Sequence, residues 1–429
     1  RARNHRWQAE RPLLIAGGGV VYSDATPELE ALAEAAGIPV AETFAGKGAV
    51  QRRAWWLLGG IGLEGTPATN DLARQADLVL TVGSRLTDFA TASQSLFQHP
   101  QVRFASINLN PYDAGRLGAT GIVADAKRAL GALAEAVRRA GITSPADWQE
   151  RARARNHRWQ AERAAALDPD TPFDPSTLEP TERADTGAVL TQGQLIGLLQ
   201  EHARAGDVII AAAGGPPGDL QKVWDATEGR LAHLEFGFSC MVYEVPAAIG
   251  VRLAEPDPAR RVLSFLGDGT FLMAPSELVT AAQEGLAITV VIPENRGYQV
   301  IHRLQMLRSG REFGNEFRYR DGGLDLGGAG AKPPRLEGDY LDVDLVKVAE
   351  GLGARAVRAT TADEVRAALA ATRDHRGPVV IVVPAIPHAD LPGAGVWWDV
   401  APAEVAEQEA VARLRAEYED GLATQRWHG

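Results

Sequence analysis

The stretch GDGTFLMAPSELVTAAQEGLAITVVIPENRG, residues 267–297, has the pattern of a strand end, a glycine turn, a helix, a second strand and a polar turn. Asp268 and Asn295 stand where the two predicted strands run out into loops. In open parallel sheets, ligands bind beyond the carboxyl ends of the strands. The stretch therefore predicts a parallel sheet with a polar site at its carboxyl edge.

The same alternation of apolar runs and amphipathic helices continues on both sides of this stretch. It predicts the α/β class, with two Rossmann-like parallel-sheet domains. We expect a central α/β domain at 11–142, a helical and extended linker at 143–190, a second α/β domain at 191–390 and a C-terminal tail at 391–429. Within that tail, 402–423 predicts one further amphipathic helix.

The composition excludes several classes of partner. The net charge of −11 argues against nucleic acid or an anionic membrane. A hydrophobic share of 45% is ordinary for a globular protein, and no apolar run approaches the roughly 20 residues of a membrane span. The chain has one cysteine, Cys240, and no apolar leader, so we expect a cytoplasmic protein without disulfides.

The residue types at the predicted edge favour a hard cation. A carboxylate (Asp268), an amide oxygen (Asn295) and a nearby backbone carbonyl are oxygen ligands that suit Mg²⁺ or Ca²⁺ better than Zn²⁺. The GDGT turn at 267–270 opens a helix with free backbone N–H groups, which favours a phosphate. These residues predict a diphosphate that is bridged to the protein by a metal ion.

This pair of motifs resembles the signature of thiamine diphosphate enzymes, in which GDG precedes an Asn-containing turn at the same spacing. The resemblance implies that Asp268 and Asn295 give side chains to Mg²⁺ and that Gly297 gives its backbone carbonyl. This chain departs from the family at Glu294, where the family usually has a second Asn.

The stretch FGFSCMVYEVPAAIG, residues 236–250, is similar to acetolactate synthase-like members of this superfamily. The resemblance implies that Met241 holds the cofactor bent and that Pro246 begins the next helix. Core packing is the alternative for Met241. The implied residues that bind thiamine diphosphate are Gly214, Gly215, Met241, Gly267, Asp268, Gly269, Thr270, Asn295 and Gly297. We assign no FAD to the glycines at 17–19, because the central domain often carries no cofactor in this superfamily.

Other stretches, among them GNEFRYRD at 314–321 and VWWDVAPAEVAEQEAV at 396–411, resemble the hydrolases that open the ring of trihydroxycyclohexane-1,2-dione in myo-inositol catabolism. That resemblance implies C–C cleavage of a cyclic 1,2-dione substrate to 5-deoxyglucuronate. The implied candidates for proton transfer or substrate contact are His233, Glu235, Gln299 and His302. Each has an alternative as an ordinary hydrogen-bonded polar residue. Trp397 and Trp398 either close over the site or pack structurally.

Two alternatives to ring opening remain. One is an acetolactate synthase or 2-oxoacid decarboxylase, and the other is a non-catalytic subunit that binds diphosphate and metal. The latter follows from an expectation that the chain lacks the family's N-terminal pyrimidine-binding domain, whose glutamate activates the cofactor. The resemblance also implies a homodimer or homotetramer with shared active sites.

The stretch RARNHRWQAER occurs twice, at Arg1–Arg11 and at Arg153–Arg163. The second copy lies within a longer helical pattern, so we take it as native. We interpret residues 1–10 as an attached duplicate without function.

Overall fold

The structure is a computed structural model that describes residues 9–178, 186–255, 257–309, 313–321 and 336–428. The first copy of the duplicated stretch lies almost entirely outside the described residues, as does part of the predicted linker. Among the described residues, no helix is both long enough and apolar enough to cross a membrane.

The first domain is built on six parallel strands with the order β3-β2-β1-β4-β5-β6. Its central strands are apolar along their whole length, as expected for a sheet that is covered on both faces. The strands are β1 (Pro12–Ala16), β2 (Val40–Glu42), β3 (Leu57–Gly60), β4 (Leu78–Val82), β5 (Arg103–Asn108) and β6 (Thr120–Val123). The helices are α1 (Gly18–Tyr22), α2 (Thr26–Ala36), α3 (Pro67–Gln75), α4 (Asp88–Thr91), α5 (Pro111–Ala114) and α6 (Ala126–Ala140).

The glycines at 17–19 have a packing role. A Cβ atom on Gly17 would lie 2.4 Å from the carbonyl oxygen of Gly83, and one on Gly19 would lie 2.6 Å from the Gly83 Cα. The strand order reverses between β1 and β4, and these loops follow those two strands. The glycines therefore allow two backbone segments to touch where the order reverses.

Helix α7 (Ala146–Leu167) joins the two domains and contains the second copy of the duplicated stretch. The Trp148 indole donates to the Pro12 carbonyl at 2.9 Å and packs into the first-domain core. Trp159, three turns later, packs into the second-domain core. The helix thus contributes side chains to both cores.

The second domain also has six parallel strands, in the order β8-β7-β9-β10-β12-β11. They are β7 (Val208–Ala211), β8 (Leu231–Leu234), β9 (Val262–Phe265), β10 (Thr289–Glu294), β11 (Arg355–Arg358) and β12 (Val379–Pro384). The helices are α8 (Gln192–His202), α9 (Gly215–Val223), α10 (Glu244–Ala254), α11 (Asp268–Met273), α12 (Glu277–Gln283), α13 (Gln299–Ser309), α14 (Leu345–Gly351) and α15 (Ala362–Ala371). Two parallel sheets flanked by helices confirm the predicted α/β class.

The last helix, α16 (Glu409–Leu422), is shorter than the pattern at 402–423 predicted. Residues 403–408 are all exposed, Val405 to 94%, so no packing supports a helix there. Upstream in the tail, the Trp398 ring is tilted against Phe89 with ring centroids 5.3 Å apart. Phe89 in turn lies edge-on to Phe236 of the second domain, with centroids 4.7 Å apart. Trp398 therefore packs against an aromatic cluster that spans the two domains.

Candidate functional site

Three turns meet at the carboxyl edge of the second sheet. They are 212–215 after β7, 266–270 after β9 and 295–297 after β10. Because β9 lies between β7 and β10, the turns are neighbours in space. A Cβ added to Gly267 would meet no described atom within 4 Å, and one on Gly214 would meet only Pro216, at 3.6 Å. The edge therefore has open space directly above two glycine turns.

The two helix starts at this edge differ in their hydrogen-bond donors. Helix α11 begins with Asp268, Gly269 and Thr270, which all carry backbone N–H groups. Helix α9 begins with Gly215 followed by two prolines, which have no N–H group to offer. A phosphate would therefore find fewer backbone donors at the start of α9 than a helix terminus usually presents.

Asp268 is almost fully buried and is held by backbone donors. Its Oδ1 accepts from the Gly269 N–H at 2.7 Å and the Gly297 N–H at 3.3 Å, and its Oδ2 accepts from the Arg296 N–H at 2.7 Å. Burial raises the pKa of Asp268 to about 7, and the nearby Glu294 carboxylate also raises it. A bound cation would offset this cost of burying the charge.

Asn295 and Gly297 fit the same cation. The Asn295 Oδ1 is buried and has no hydrogen-bond partner among the described residues, although buried polar atoms are usually paired. Oxygen atoms from a carboxylate, an amide and a backbone carbonyl form the kind of ligand set that Mg²⁺ prefers. No group of three or more His, Cys, Asp or Glu side chains elsewhere in the described structure could hold a metal. The residues present therefore fit a hard divalent cation.

Glu294, the departure from the family pattern, is used structurally. Its two oxygens accept from the Arg358 guanidinium on β11 at 2.6 and 3.0 Å, which is a bidentate ion pair. The carboxylate is 3% exposed. The charge is thus paired within the sheet rather than directed to the edge.

The segment 313–321 covers the turn after β10. The Tyr298 N–H donates to the Asn315 carbonyl and the Phe317 N–H donates to the Arg296 carbonyl, both at 2.8 Å. Gly297 has φ of +149°, and a Cβ there would lie 2.4 Å from the Asn315 oxygen. Only glycine fits this turn without displacing the covering segment.

Glu316 in this segment contacts three polar side chains, and the sequence did not identify it as a candidate residue. It accepts from Tyr340 at 2.7 Å and Arg318 at 2.6 Å, and His388 lies at 3.3 Å. Burial opposes ionisation, but these hydrogen bonds hold the pKa of Glu316 well below its usual range. Arg318 is a neighbour in the sequence, but Tyr340 and His388 are distant from Glu316, so the local pattern did not show how many partners it has.

The four candidate catalytic residues form two separate pairs. Gln299 and His302 lie on α13 beside the 295–297 turn, where the Gln299 amide donates to the Asn295 carbonyl at 2.8 Å. His233 and Glu235 lie on and just after β8. Three strand spacings separate β8 from β10, about 14 Å along the sheet edge. The structure therefore does not bring all four residues together.

His233 is half-buried, and its Nε2 lies 2.8 Å from the Tyr243 hydroxyl. Burial lowers the pKa of His233, although Glu235 opposes the shift, so the ring is neutral at pH 7. Glu235 accepts from the Gly237 N–H at 3.1 Å, while its Oε2 is buried without a partner among the described residues. This pair combines a neutral imidazole with a carboxylate oxygen that has free acceptor capacity.

Met241 lies in an irregular segment before α10. Its side chain is 36% exposed, so it is not a core residue in this structure. The next residue, Val242, has φ of +78°, a conformation that is strained for a β-branched side chain. The helix begins at Glu244, two residues before the predicted start at Pro246, and the proline occupies its first turn.

Glu244 is a second residue that the sequence analysis missed. It is fully buried, its Oε1 accepts from the Ala212 and Ala213 N–H groups at 3.1 and 3.0 Å, and its Oε2 has no partner among the described residues. Burial raises the pKa of Glu244. A carboxylate at the start of the apolar stretch EVPAAIGV was the available signal. It fixes the backbone that leads into the Gly214–Gly215 turn.

These two domains define a class of protein. Residues 7–133 match the family described as "Thiamine pyrophosphate enzyme, central domain", and residues 212–383 match "Thiamine pyrophosphate enzyme, C-terminal TPP binding domain". The chain belongs to the thiamine pyrophosphate enzymes.

Named relatives match almost the whole chain. A protein of Bacillus velezensis is 38% identical over 419 residues, covering 95% of this chain and 62% of its own length. One of Geobacillus thermodenitrificans is 38% identical over 94% of this chain and 62% of its own length. One of Clostridium tetani is 34% identical over 96% of this chain and 63% of its own length. Each is named 3D-(3,5/4)-trihydroxycyclohexane-1,2-dione hydrolase. The chain thus spans about 62% of the length of these relatives.

Proposed function

We propose that this protein is a thiamine diphosphate- and Mg²⁺-dependent hydrolase that opens the ring of trihydroxycyclohexane-1,2-dione to give 5-deoxyglucuronate in myo-inositol catabolism. The observation that carries the proposal is the shared name of relatives that match 94–96% of the chain. We assign the reaction to the cytoplasm, in keeping with a chain that has a single cysteine.

Asp268, Asn295 and Gly297 hold Mg²⁺ in this proposal. The buried Asp268 carboxylate and the unpartnered Asn295 Oδ1 support it, because both gain a partner when a cation binds. When bound, thiamine diphosphate supplies the nucleophilic carbon that attacks a carbonyl. The turns that surround its diphosphate are formed by Gly214, Gly215, Gly267, Gly269 and Thr270. The partly exposed side chain of Met241 supports the cofactor in this proposal.

Water addition across a ring C–C bond requires groups that take up and return protons. His233 is neutral at pH 7 and hydrogen-bonded to Tyr243, so it can accept a proton and pass it on. Glu235 lies beside it with one free carboxylate oxygen. We assign proton transfer to this pair, and contacts to substrate hydroxyl groups to Gln299 and His302 near the metal turn.

We further propose that the enzyme is a homodimer or homotetramer with shared active sites. Phe238 is 90% exposed and Met241 is 36% exposed, and both belong to the segment that borders the site. Exposed apolar groups at a site indicate a surface that another polypeptide covers. Light scattering coupled to size-exclusion chromatography tests this, and a monomer at micromolar concentration contradicts it.

The first experiment measures binding and chemistry separately. Calorimetric titration of the purified chain with thiamine diphosphate, with and without Mg²⁺, measures cofactor affinity. Loss of the dione and formation of the acid product are then followed by chromatography, with pyruvate as the competing substrate. We expect Mg²⁺-dependent binding, ring opening and no CO₂ release from pyruvate.

The outcomes separate the three functions. CO₂ release without ring opening assigns the protein to the 2-oxoacid decarboxylases or acetolactate synthases. Cofactor binding without turnover of either substrate supports a subunit that needs a partner chain. Loss of Mg²⁺-dependent binding in Asp268→Asn, with unchanged folding by circular dichroism, is expected in every enzymatic case.

A further inference from the structure

A cavity of about 430 Å³ lies between the two domains, away from the cofactor edge. Its walls come from the turn after β2, from β3, from α7 and from the end of α9. Helix α9 begins at the glycine turn of the cofactor site and runs away from it. Its last residues, which line the cavity, lie about 12 Å from its start.

One face of helix α7 forms a wall of this cavity. Asn156, Trp159, Gln160 and Arg163 line it, and their spacing places them on a single helical face. All four belong to the second copy of the duplicated stretch, which has no role in the proposed reaction. The Arg163 Nε donates to the Val223 carbonyl at 2.7 Å. Its two terminal amino groups have no hydrogen-bond acceptor within the described chain.

Lys47, across the cavity, also has unused donors. It is 5% exposed, and its ammonium donates to the Gln221 carbonyl at 3.1 Å. The Glu42 Oε2 lies 3.9 Å away, beyond hydrogen-bond distance. The other Glu42 oxygen accepts from the Gly48 and Val50 N–H groups. Burial lowers the pKa of Lys47, Glu42 and Asp225 oppose this shift, and the charge of Arg163 adds to it.

The other two cations of the cavity have closer carboxylate partners than Lys47 has in Glu42. Lys222 lies 3.4 Å from Glu64, and Arg53 lies 2.8 Å from Asp225. The Trp224 indole N–H is buried and has no acceptor among the described residues. The cavity is thus lined by four cations and two carboxylates, and donors of Lys47, Arg163 and the Trp224 indole remain without a hydrogen-bond acceptor among the described residues.

We propose that this cavity is a binding site for a small organic anion whose carboxylate or phosphate lies between Lys47 and Arg163. A guanidinium and an ammonium are the protein groups that recognise such anions. The indoles of Trp55 and Trp159, which also line the cavity, contact the apolar or ring part of the ligand. The volume is within the range of small-molecule sites.

Phenyl phosphate is the probe, because it combines a ring with a phosphate. It is titrated into the purified chain at constant ionic strength, with tryptophan fluorescence and calorimetry as readouts. We expect saturable binding that weakens at least tenfold in Arg163→Gln and in the double variant Lys47→Met/Glu42→Gln, which removes the charge of both buried partners. Arg158→Gln, the same change on an exposed face of α7, keeps the affinity of the unaltered protein.

Phenol at the same concentrations tests whether the charge matters without any substitution, and we expect it not to bind. Three results overturn the proposal. They are the absence of saturable binding, equal binding of phenol and phenyl phosphate, and retained affinity in both cavity variants, which would place the phosphate at the glycine turns instead. If the charge-neutralised variants fail to fold, Arg163→Lys replaces them. We expect a smaller loss of phenyl phosphate affinity in this variant, because lysine keeps the positive charge and removes only the paired donors of the guanidinium.

Discussion

Gly297→Ala tests most directly the turn that is proposed to hold Mg²⁺, because both the backbone and its surroundings oppose the added methyl group. The φ of +149° lies outside the conformations that residues with a Cβ adopt readily. The Cβ would lie 2.4 Å from the Asn315 carbonyl oxygen and 2.8 Å from the Glu316 Cα. Both atoms belong to backbone, so neither contact is relieved by a side-chain rotation.

The expected cost follows from how the turn responds. If it keeps its shape, the strain is on the order of 1–3 kcal/mol and lowers the free energy of unfolding. If it moves, the bonds from Tyr298 to Asn315 and from Phe317 to Arg296 are lost, at about 0.5–1.5 kcal/mol each. In that case cofactor binding has to restore the shape of the turn, and the free energy that this requires weakens the affinity for the cofactor. A cost of about 2 kcal/mol weakens the affinity roughly 30-fold.

Urea unfolding and calorimetric titration with thiamine diphosphate and Mg²⁺ measure these two quantities. The matched control is Gly351→Ala at the end of α14, where an added Cβ meets no described atom within 4 Å. The control should keep both values. The reasoning is refuted if Gly297→Ala retains both its unfolding free energy and its cofactor affinity within about 0.5 kcal/mol of the unaltered protein, the usual range of a neutral surface substitution.

Met241→Ala should lower kcat for ring opening while it changes the unfolding free energy by less than about 0.5 kcal/mol, because the side chain is partly exposed; an unaltered kcat removes the cofactor contact. Val242→Gly should raise the unfolding free energy by about 1 kcal/mol, since relief of the left-handed strain exceeds the added chain entropy; a loss in urea unfolding contradicts this. The lowered pKa of His233 means that the unfolded chain binds a proton more readily. Its contribution to stability is therefore fully present above the usual pKa of 6.5 and is lost as the pH falls below that value and through the lower pKa of the folded state. Urea unfolding at pH 7.5 and 5.5 should show a smaller loss in His233→Gln than in the unaltered protein, and equal losses rule this out.

The proposed anion cavity and the cofactor edge lie at opposite ends of α9. Lys222 and Trp224 line the cavity at the end of this helix, and Gly215 begins it at the cofactor edge. A ligand in the cavity would therefore contact the same helix that borders the cofactor. Thiamine diphosphate affinity measured with and without saturating phenyl phosphate gives the coupling between the two sites, which must be the same in both directions.

The sequence by itself was sufficient for the α/β class and for placing Asp268 and Asn295 at the same edge of the second sheet. Buried parallel strands appear as continuous apolar runs, and parallel strands bring their carboxyl ends to one edge. Asp268 and Asn295 each follow such a run, so their proximity follows from local pattern alone. The proposed role of Gly297 came from the family resemblance and not from this pattern.

Only the tertiary structure decided which groups from distant parts of the sequence lie together. Strand order depends on pairing between distant segments, so the distance between His233 and His302 could not be read from spacing. Glu316 gains its character from Tyr340 and His388, and Lys47 faces Arg163 because α7 packs across both domains. These groups acquire partners only when long-range packing removes them from water. The free energy of burying and pairing them therefore cannot be read from the local sequence.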